Sequence, residues 1–227
     1  CLSESAMVYR TGGGVGTDLS ILRPKGAPVN ATVDRSPGGT AFMNLLSEST
    51  NAVSQAGRRG ALMLTLRVDH PDVEDFISIK SDPTRTKVQY ANISVLVTHE
   101  FMEAVMADRD FDLRWGGQVY RTVRARELWN RIITNAHSSA EPGIIFWDTM
   151  REYHNVEYAN PLTSTNPCGE QPLASYTACN LGNLNLTLFV GQDGALDYGA
   201  LAESTRVAVR FLDDVIEYNM ERHALPK

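Results

Sequence analysis

Four side chains late in the chain have types and spacing that could do chemistry. Asn166, Cys168 and Glu170 alternate along Asn166-Pro167-Cys168-Gly169-Glu170, and Cys179 follows. If the segment is extended, residues i, i+2 and i+4 share one face. Pro167 favours that, because a proline pushes the residue before it out of the helical region. An amide, a thiol and a carboxylate would then face one small volume. The amide can hold a substrate by hydrogen bonds, the sulfur can carry a radical or a charge, and the carboxylate can take a proton. A plainer reading also exists: free cysteine often serves as a small buried hydrophobe, and Asn-Pro followed by Gly is a common turn.

The elements that must position these groups alternate between strand and helix. Leu2 to Arg10 reads as a helix stopped by the glycine run Gly12 to Gly16, and Leu19 to Gly26 as a short strand entering a loop. Ser36 to Thr40 opens a helix carrying Phe42, Leu45, Leu46 and Val53. Leu62, Leu64, Leu66 and Val68 alternate as in a strand, and His70-Pro71-Asp72 opens the next helix. Asn92 to Val97 is a second strand, with Thr98 as the cap of a following helix. Phe111 to Tyr120 reads as a hairpin around Gly116-Gly117, Leu128 to Ala136 as a helix and Gly143 to Trp147 as a buried strand. Val207, Ala208, Phe211, Leu212, Val215 and Ile216 form the apolar stripe of a last helix. This alternation predicts an α/β fold with a largely parallel sheet or barrel.

A chain of 227 residues, 43% hydrophobic and 21% charged, has the means to bury a sizeable core. Its net charge of -6 argues against a nucleic-acid partner. No apolar run approaches a membrane span, and no signal peptide opens the chain. Three cysteines suit a reducing compartment, with the cytoplasm as the default. Cys1 leads straight into a helix-like segment and Leu225-Pro226-Lys227 follows another, so both ends read as truncated. His70, His99, His137, His154 and His223 lack metal spacing, and no metal site is expected.

Other motifs have two readings each. Thr11 to Gly16 permits close approach of a ligand or another strand, but Thr17 breaks the dinucleotide fingerprint. Gln55-Ala56-Gly57-Arg58-Arg59-Gly60 pairs flexible glycines with guanidiniums, which suits phosphate or base recognition or simply a solvated loop. Asn92 and Ser94 are pocket candidates or structural residues at a strand edge.

The string Asn166-Pro-Cys-Gly-Glu-Gln-Pro-Leu173 with Cys179-Asn-Leu-Gly-Asn-Leu-Asn-Leu186 resembles the active-site finger loop of the ribonucleotide reductase large subunit, most like the adenosylcobalamin-dependent class. The resemblance runs from Met7 to about Pro226. It implies that 1–227 is a partial catalytic domain from a ten-stranded α/β barrel. It implies reduction of ribonucleotides to deoxyribonucleotides by thiyl chemistry, with adenosylcobalamin as cofactor. Cys168 would carry the thiyl, Glu170 would be the general base, Asn166 would hold the ribose and Cys179 would be a reducing thiol. Thr11, Gly12 and Gly13 would touch substrate, as would Gln55 and Arg59, while Arg23, Lys25 and Arg58 would belong to effector loops. The redox partner of Cys179 lies well upstream of the glycine turn in the family, so Cys1 is not taken as that partner. Implied partners are a ribonucleotide, deoxynucleotide and ATP effectors and a thioredoxin-like reductant, and a homodimer is admitted. The alternatives are a large subunit fed by a separate radical-generating subunit, and a regulatory nucleotide-binding piece without catalysis.

Overall fold

The computed structural model describes residues 1–29, 34–55, 58–81, 87–220 and 222. They fall into two compact units, Cys1–Tyr176 and Thr177–Lys227. In the first, helix α1 (Leu2–Arg10) leads to strand β1 (Gly14–Asp18), and α2 (Thr40–Ala52) leads through the short strands β2 (Ser54–Gln55) and β3 (Arg58–Arg59) to β4 (Ala61–Arg67). Then come α3 (Val73–Ser78), β5 (Asn92–Val97), α4 (His99–Met106), the hairpin β6 (Asp110–Trp115) and β7 (Gln118–Arg124), α5 (Ala125–Ser139), β8 (Gly143–Phe146) and α6 (Trp147–Glu152). The ribbon β9 (Leu162–Thr165) and β10 (Pro172–Ala174) closes the unit. β1, β4, β5 and β8 form one parallel sheet in that order, with Gly14 opposite Ala61, Met63 opposite Asn92 and Ser94 opposite Gly143. The α/β class with a parallel sheet is thus as the alternation predicts.

Period-two alternation divides the sheet's two faces. Leu62, Leu64, Leu66, Ile93, Val95 and Val97 join Met43, Phe76, Phe101, Leu128 and Ile132 of the helices in the main core. The opposite face carries Met63, Thr65, Asn92, Ser94 and Leu96. Leu96 packs there with Ile145, Trp147 and Leu162 of β9. Consecutive residues of β4 and β5 are buried on both faces, as parallel strands require.

Local chemistry explains the element ends. The Thr98 hydroxyl accepts the Phe101 N–H at 3.2 Å and caps α4. Gly116 and Gly117, at φ 58° and 78°, make the turn between β6 and β7, where two left-handed residues match the strand twist. Two expectations are corrected. The short strand expected from Leu19 before the loop to Gly26 is itself loop, and the strand is the glycine run just before it, because missing side chains there admit another strand from the side. In α2 the inward face is Met43, Leu46, Ser47 and Thr50, while Phe42 and Leu45 point outward. The helix lies on the sheet about one residue round from the stripe expected.

The second unit holds a 3-10 turn (Leu186–Phe189) and α7 (Tyr198–Met220), the last helix predicted. Val207 and Phe211 of its stripe are exposed. Among the described residues no helix is long and apolar enough to cross a membrane.

Candidate active site

The candidate site is built where β9 crosses β1. The two run in opposite directions, with Gly14 against Pro167 and Gly16 against Thr165. A Cβ on Gly16 would lie 1.8 Å from the Thr165 carbonyl oxygen, and one on Gly14 would lie 2.3 Å from Pro167 Cγ. Only glycine at both positions allows the ribbon to come this close. Along the ribbon, Ser164 reaches Thr65 of β4, and the Asn92 amide of β5 donates to the Pro167 carbonyl oxygen at 2.7 Å. Gly14 and Asn92 both begin strands, so the ribbon's tip lies at the amino end of the sheet.

The tip is a turn, which corrects the extended segment expected from the alternation. The Gly169 N–H donates to the Asn166 carbonyl oxygen at 3.1 Å, spanning i to i+3, and Gly169 has φ +87°. The alternate-face rule therefore does not apply. Asn166 is buried, and its side-chain carbonyl accepts the Gln171 N–H at 3.0 Å. The Asn166 backbone N–H donates to the Gln171 carbonyl oxygen, also at 3.0 Å. Asn166 thus clamps the loop, and the described residues supply no acceptor for its side-chain Nδ2. Cys168 and Glu170 are exposed on the turn. Cys179 is exposed in the second unit.

The other residues singled out in the sequence fall into three groups. Thr11, Gly12 and Gly13 form the turn between α1 and β1, next to Gly14 and hence to the tip. The Thr11 hydroxyl donates to the Val8 carbonyl oxygen at 2.8 Å, Gly12 has φ +83° with open space around it, and Gly13 packs on Val8. Gln55 pairs with Arg58, and Ser54 with Arg59, in the β2–β3 ladder, while Ala56 and Gly57 lie outside the described residues. Gly60, just after this ladder, lies under the ring of buried Tyr9 of α1.

Arg23 and Lys25 sit in the loop after β1. Arg23 donates to the Pro28 carbonyl oxygen and stacks 5.6 Å over the Trp115 ring, and Lys25 faces Asp75 at 3.6 Å. The loop is pinned from the His70-Pro71-Asp72 turn. His70 Nε2 is 3.0 Å from the Leu22 carbonyl oxygen, and Nδ1 accepts the Asp72 N–H at 3.1 Å, which puts the ring proton on Nε2. The Asp72 carboxylate accepts the Lys25 and Gly39 N–H groups, each at 3.0 Å.

Three residues that sequence reasoning missed join the ribbon to the sheet, Asp18 of β1, Thr65 of β4 and Ser164 of the ribbon itself. Asp18 Oδ1 accepts the Ser20 hydroxyl at 2.7 Å and the Thr65 hydroxyl at 3.2 Å, and Thr65 Oγ1 is 3.4 Å from Ser164 Oγ. Burial pushes the Asp18 carboxyl pKa up, against the hydrogen bonds from Ser20 and Thr65 and the charge of Arg67, which lower it. The available signal was polar Thr65, Asn92 and Ser94 on the strand face opposite the leucines and valines. Among the described residues no group of three or more His, Cys, Asp or Glu could hold a metal ion.

Fold and site together define an α/β scaffold that presents one thiol on a hydrogen-bonded finger. The chain belongs to the ribonucleotide reductase barrel-domain family, whose description "Ribonucleotide reductase, barrel domain" matches residues 1–224. It is 38% identical over 221 residues to a vitamin B12-dependent ribonucleoside-diphosphate reductase of Thermoplasma acidophilum, covering 96% of this chain and 29% of that protein. It is 39% identical over 230 residues to the enzyme of the same description from Mycobacterium tuberculosis, covering 100% of this chain and 32% of that one. A ribonucleoside-diphosphate reductase large subunit of Caenorhabditis elegans is 25% identical over 252 residues, covering 96% and 32%. The chain thus spans about a third of the length of these curated relatives.

Proposed function

We propose that this chain is the substrate-reducing part of a vitamin B12-dependent ribonucleotide reductase, which makes deoxyribonucleotides for DNA synthesis and repair. The observation that supports this best is the exposed Cys168 thiol on a turn tied to the sheet at its tip and its base. A thiol that exchanges a hydrogen atom with a sugar must be reachable and also held in place. Asn166 divides its amide between two tasks: its oxygen closes the finger, and its Nδ2 is left to donate to ribose hydroxyls.

In this reading Cys168, as a thiyl, takes the hydrogen atom from the 3′ carbon. Glu170 accepts the proton of the 3′-hydroxyl, and the 2′-hydroxyl leaves as water with a proton given by one of the two reducing thiols. Cys179 is one of two thiols that supply two electrons and end as a disulfide. Thr11, Gly12 and Gly13 lie against the substrate. Gln55 and Arg59 report the base, while the Arg23–Lys25 loop and Arg58 belong to effector recognition. Adenosylcobalamin, when bound, supplies a carbon-centred radical able to take a hydrogen atom from a thiol. The exposed finger tip fits that chemistry, and Cys168 and Gly169 are the residues that would face it.

The implied partners are a ribonucleotide, deoxynucleotide and ATP effectors and a thioredoxin-like reductant. A homodimer and a cytoplasmic setting belong to the same reading. The test is deoxyribonucleotide formation by the full-length protein with adenosylcobalamin and no second subunit. Activity that disappears in Cys168→Ser is expected, and an undiminished rate in that variant would end the reading.

A further inference from the structure

Asp18, Thr65 and Ser164 play no part in the chemistry above, yet they form a continuous polar chain between the sheet and the finger. Thr65 is fully buried, and Ser164 is 5% exposed. The Ser20 and Thr65 hydroxyls both donate to the same carboxyl oxygen, Asp18 Oδ1. Thr65 has then committed its only proton, and its oxygen is left to accept from Ser164. The direction of every proton in the chain follows from Asp18. Ser164 stands on β9 beside Gly16, in the stretch where the ribbon has no side chain of β1 to rest on. Its hydroxyl therefore adds a directional tie to the close backbone contact that Gly16 allows. Burial works against an ionised carboxyl at Asp18. A carboxylate kept in such a place, at the foot of a thiol-bearing loop, points to use.

We propose that Asp18 is a positioning residue for Cys168: through the Thr65 hydroxyl it orients Ser164 and so holds the base of the finger at one height and register over the sheet. The link from this seat to turnover rests on the catalytic reading, whereas the seat itself does not.

Two N–H groups close the finger, Gly169 to the Asn166 carbonyl and Gln171 to the Asn166 side chain, and their hydrogen exchange reports the seat without any need for activity. Thr65→Val keeps the shape and removes the hydroxyl. In the full-length protein it is expected to speed exchange at Gly169 and Gln171 by about fivefold, the effect of one lost hydrogen bond. The sheet amides of Leu64 and Val95 should keep their rates. Asp18→Asn and Ser164→Ala should be non-additive at the finger amides, and additive once combined with Thr65→Val. With substrate, Thr65→Val should lower kcat, because it loosens the seat of the reacting sulfur. Unchanged finger exchange in Thr65→Val, equal acceleration of finger and sheet amides, or an additive cycle would overturn the proposal. If the exchange results hold while Cys168→Ser remains active, the seat stands and the catalytic reading falls.

Discussion

Gly16→Ala tests whether the glycine run exists to seat the finger. The new Cβ would lie 1.8 Å from the Thr165 carbonyl oxygen, 2.9 Å from the Thr165 carbonyl carbon and 3.0 Å from Ser164 Oγ. Ordinary contact begins near 3.4 Å, so the ribbon must retreat by the difference, about 1.6 Å. Two of the three obstructing atoms are backbone and cannot turn aside as a side-chain tip would. The Cys168 turn is carried on that ribbon and must shift with it or lose its tie to Asn92. A displacement near 1 Å in a reacting group costs on the order of 100-fold in rate. The overpacking itself costs about 1–3 kcal/mol of stability. The assays are kcat of the full-length protein and hydrogen exchange at Gly169 and Gln171. Loss of about two orders of magnitude in kcat with faster finger exchange is expected. A variant with wild-type kcat and wild-type finger protection would refute the idea that close approach at Gly16 sets the position of the thiol.

Asn92→Asp replaces the donor to the Pro167 carbonyl oxygen by a group that only accepts, and about a fivefold or greater fall in kcat is expected, with unchanged kcat as the adverse result. His70→Ala removes partners from the Leu22 carbonyl and the Asp72 N–H in a site 1% exposed, so denaturant unfolding should show a loss of about 2–4 kcal/mol. A loss within error would mean that the Arg23–Lys25 loop is held by other means. Asp18, whose folded pKa lies above the ordinary 3.8 because of burial, binds its proton more tightly in the folded state. Its contribution to stability is therefore full below that ordinary value and is lost as pH rises through the folded pKa. The Tm difference between Asp18→Asn and wild type should move in the variant's favour from about pH 3.5 to pH 7, and a difference independent of pH would contradict the raised pKa of this half-buried carboxyl.

Much of the secondary structure was readable in the chain because its signals are local. The alternation at Leu62 to Val68, the Thr98 cap and the paired glycines at Gly116 and Gly117 each depend on residues a few positions apart. The finger motif was likewise readable as residue types in order. Its shape stood between two readings, extended or turn: in the folded chain Asn166 closes the turn on Gly169 and Gln171, and Asn92 of β5 ties that turn to the sheet through the Pro167 carbonyl. The same holds for the glycine run, which ends a helix on local evidence and becomes a strand only when β4 pairs with one edge and β9 lies against it. Asp18, Thr65 and Ser164 are unremarkable in sequence, since 47 and 99 residues separate the hydrogen-bonded pairs. Local periodicity decides which segments are helix or strand and which face of each is apolar. What only the folded chain decides is which polar groups from distant segments meet on the opposite face, because a hydrogen bond depends on position in space and leaves no period in the sequence.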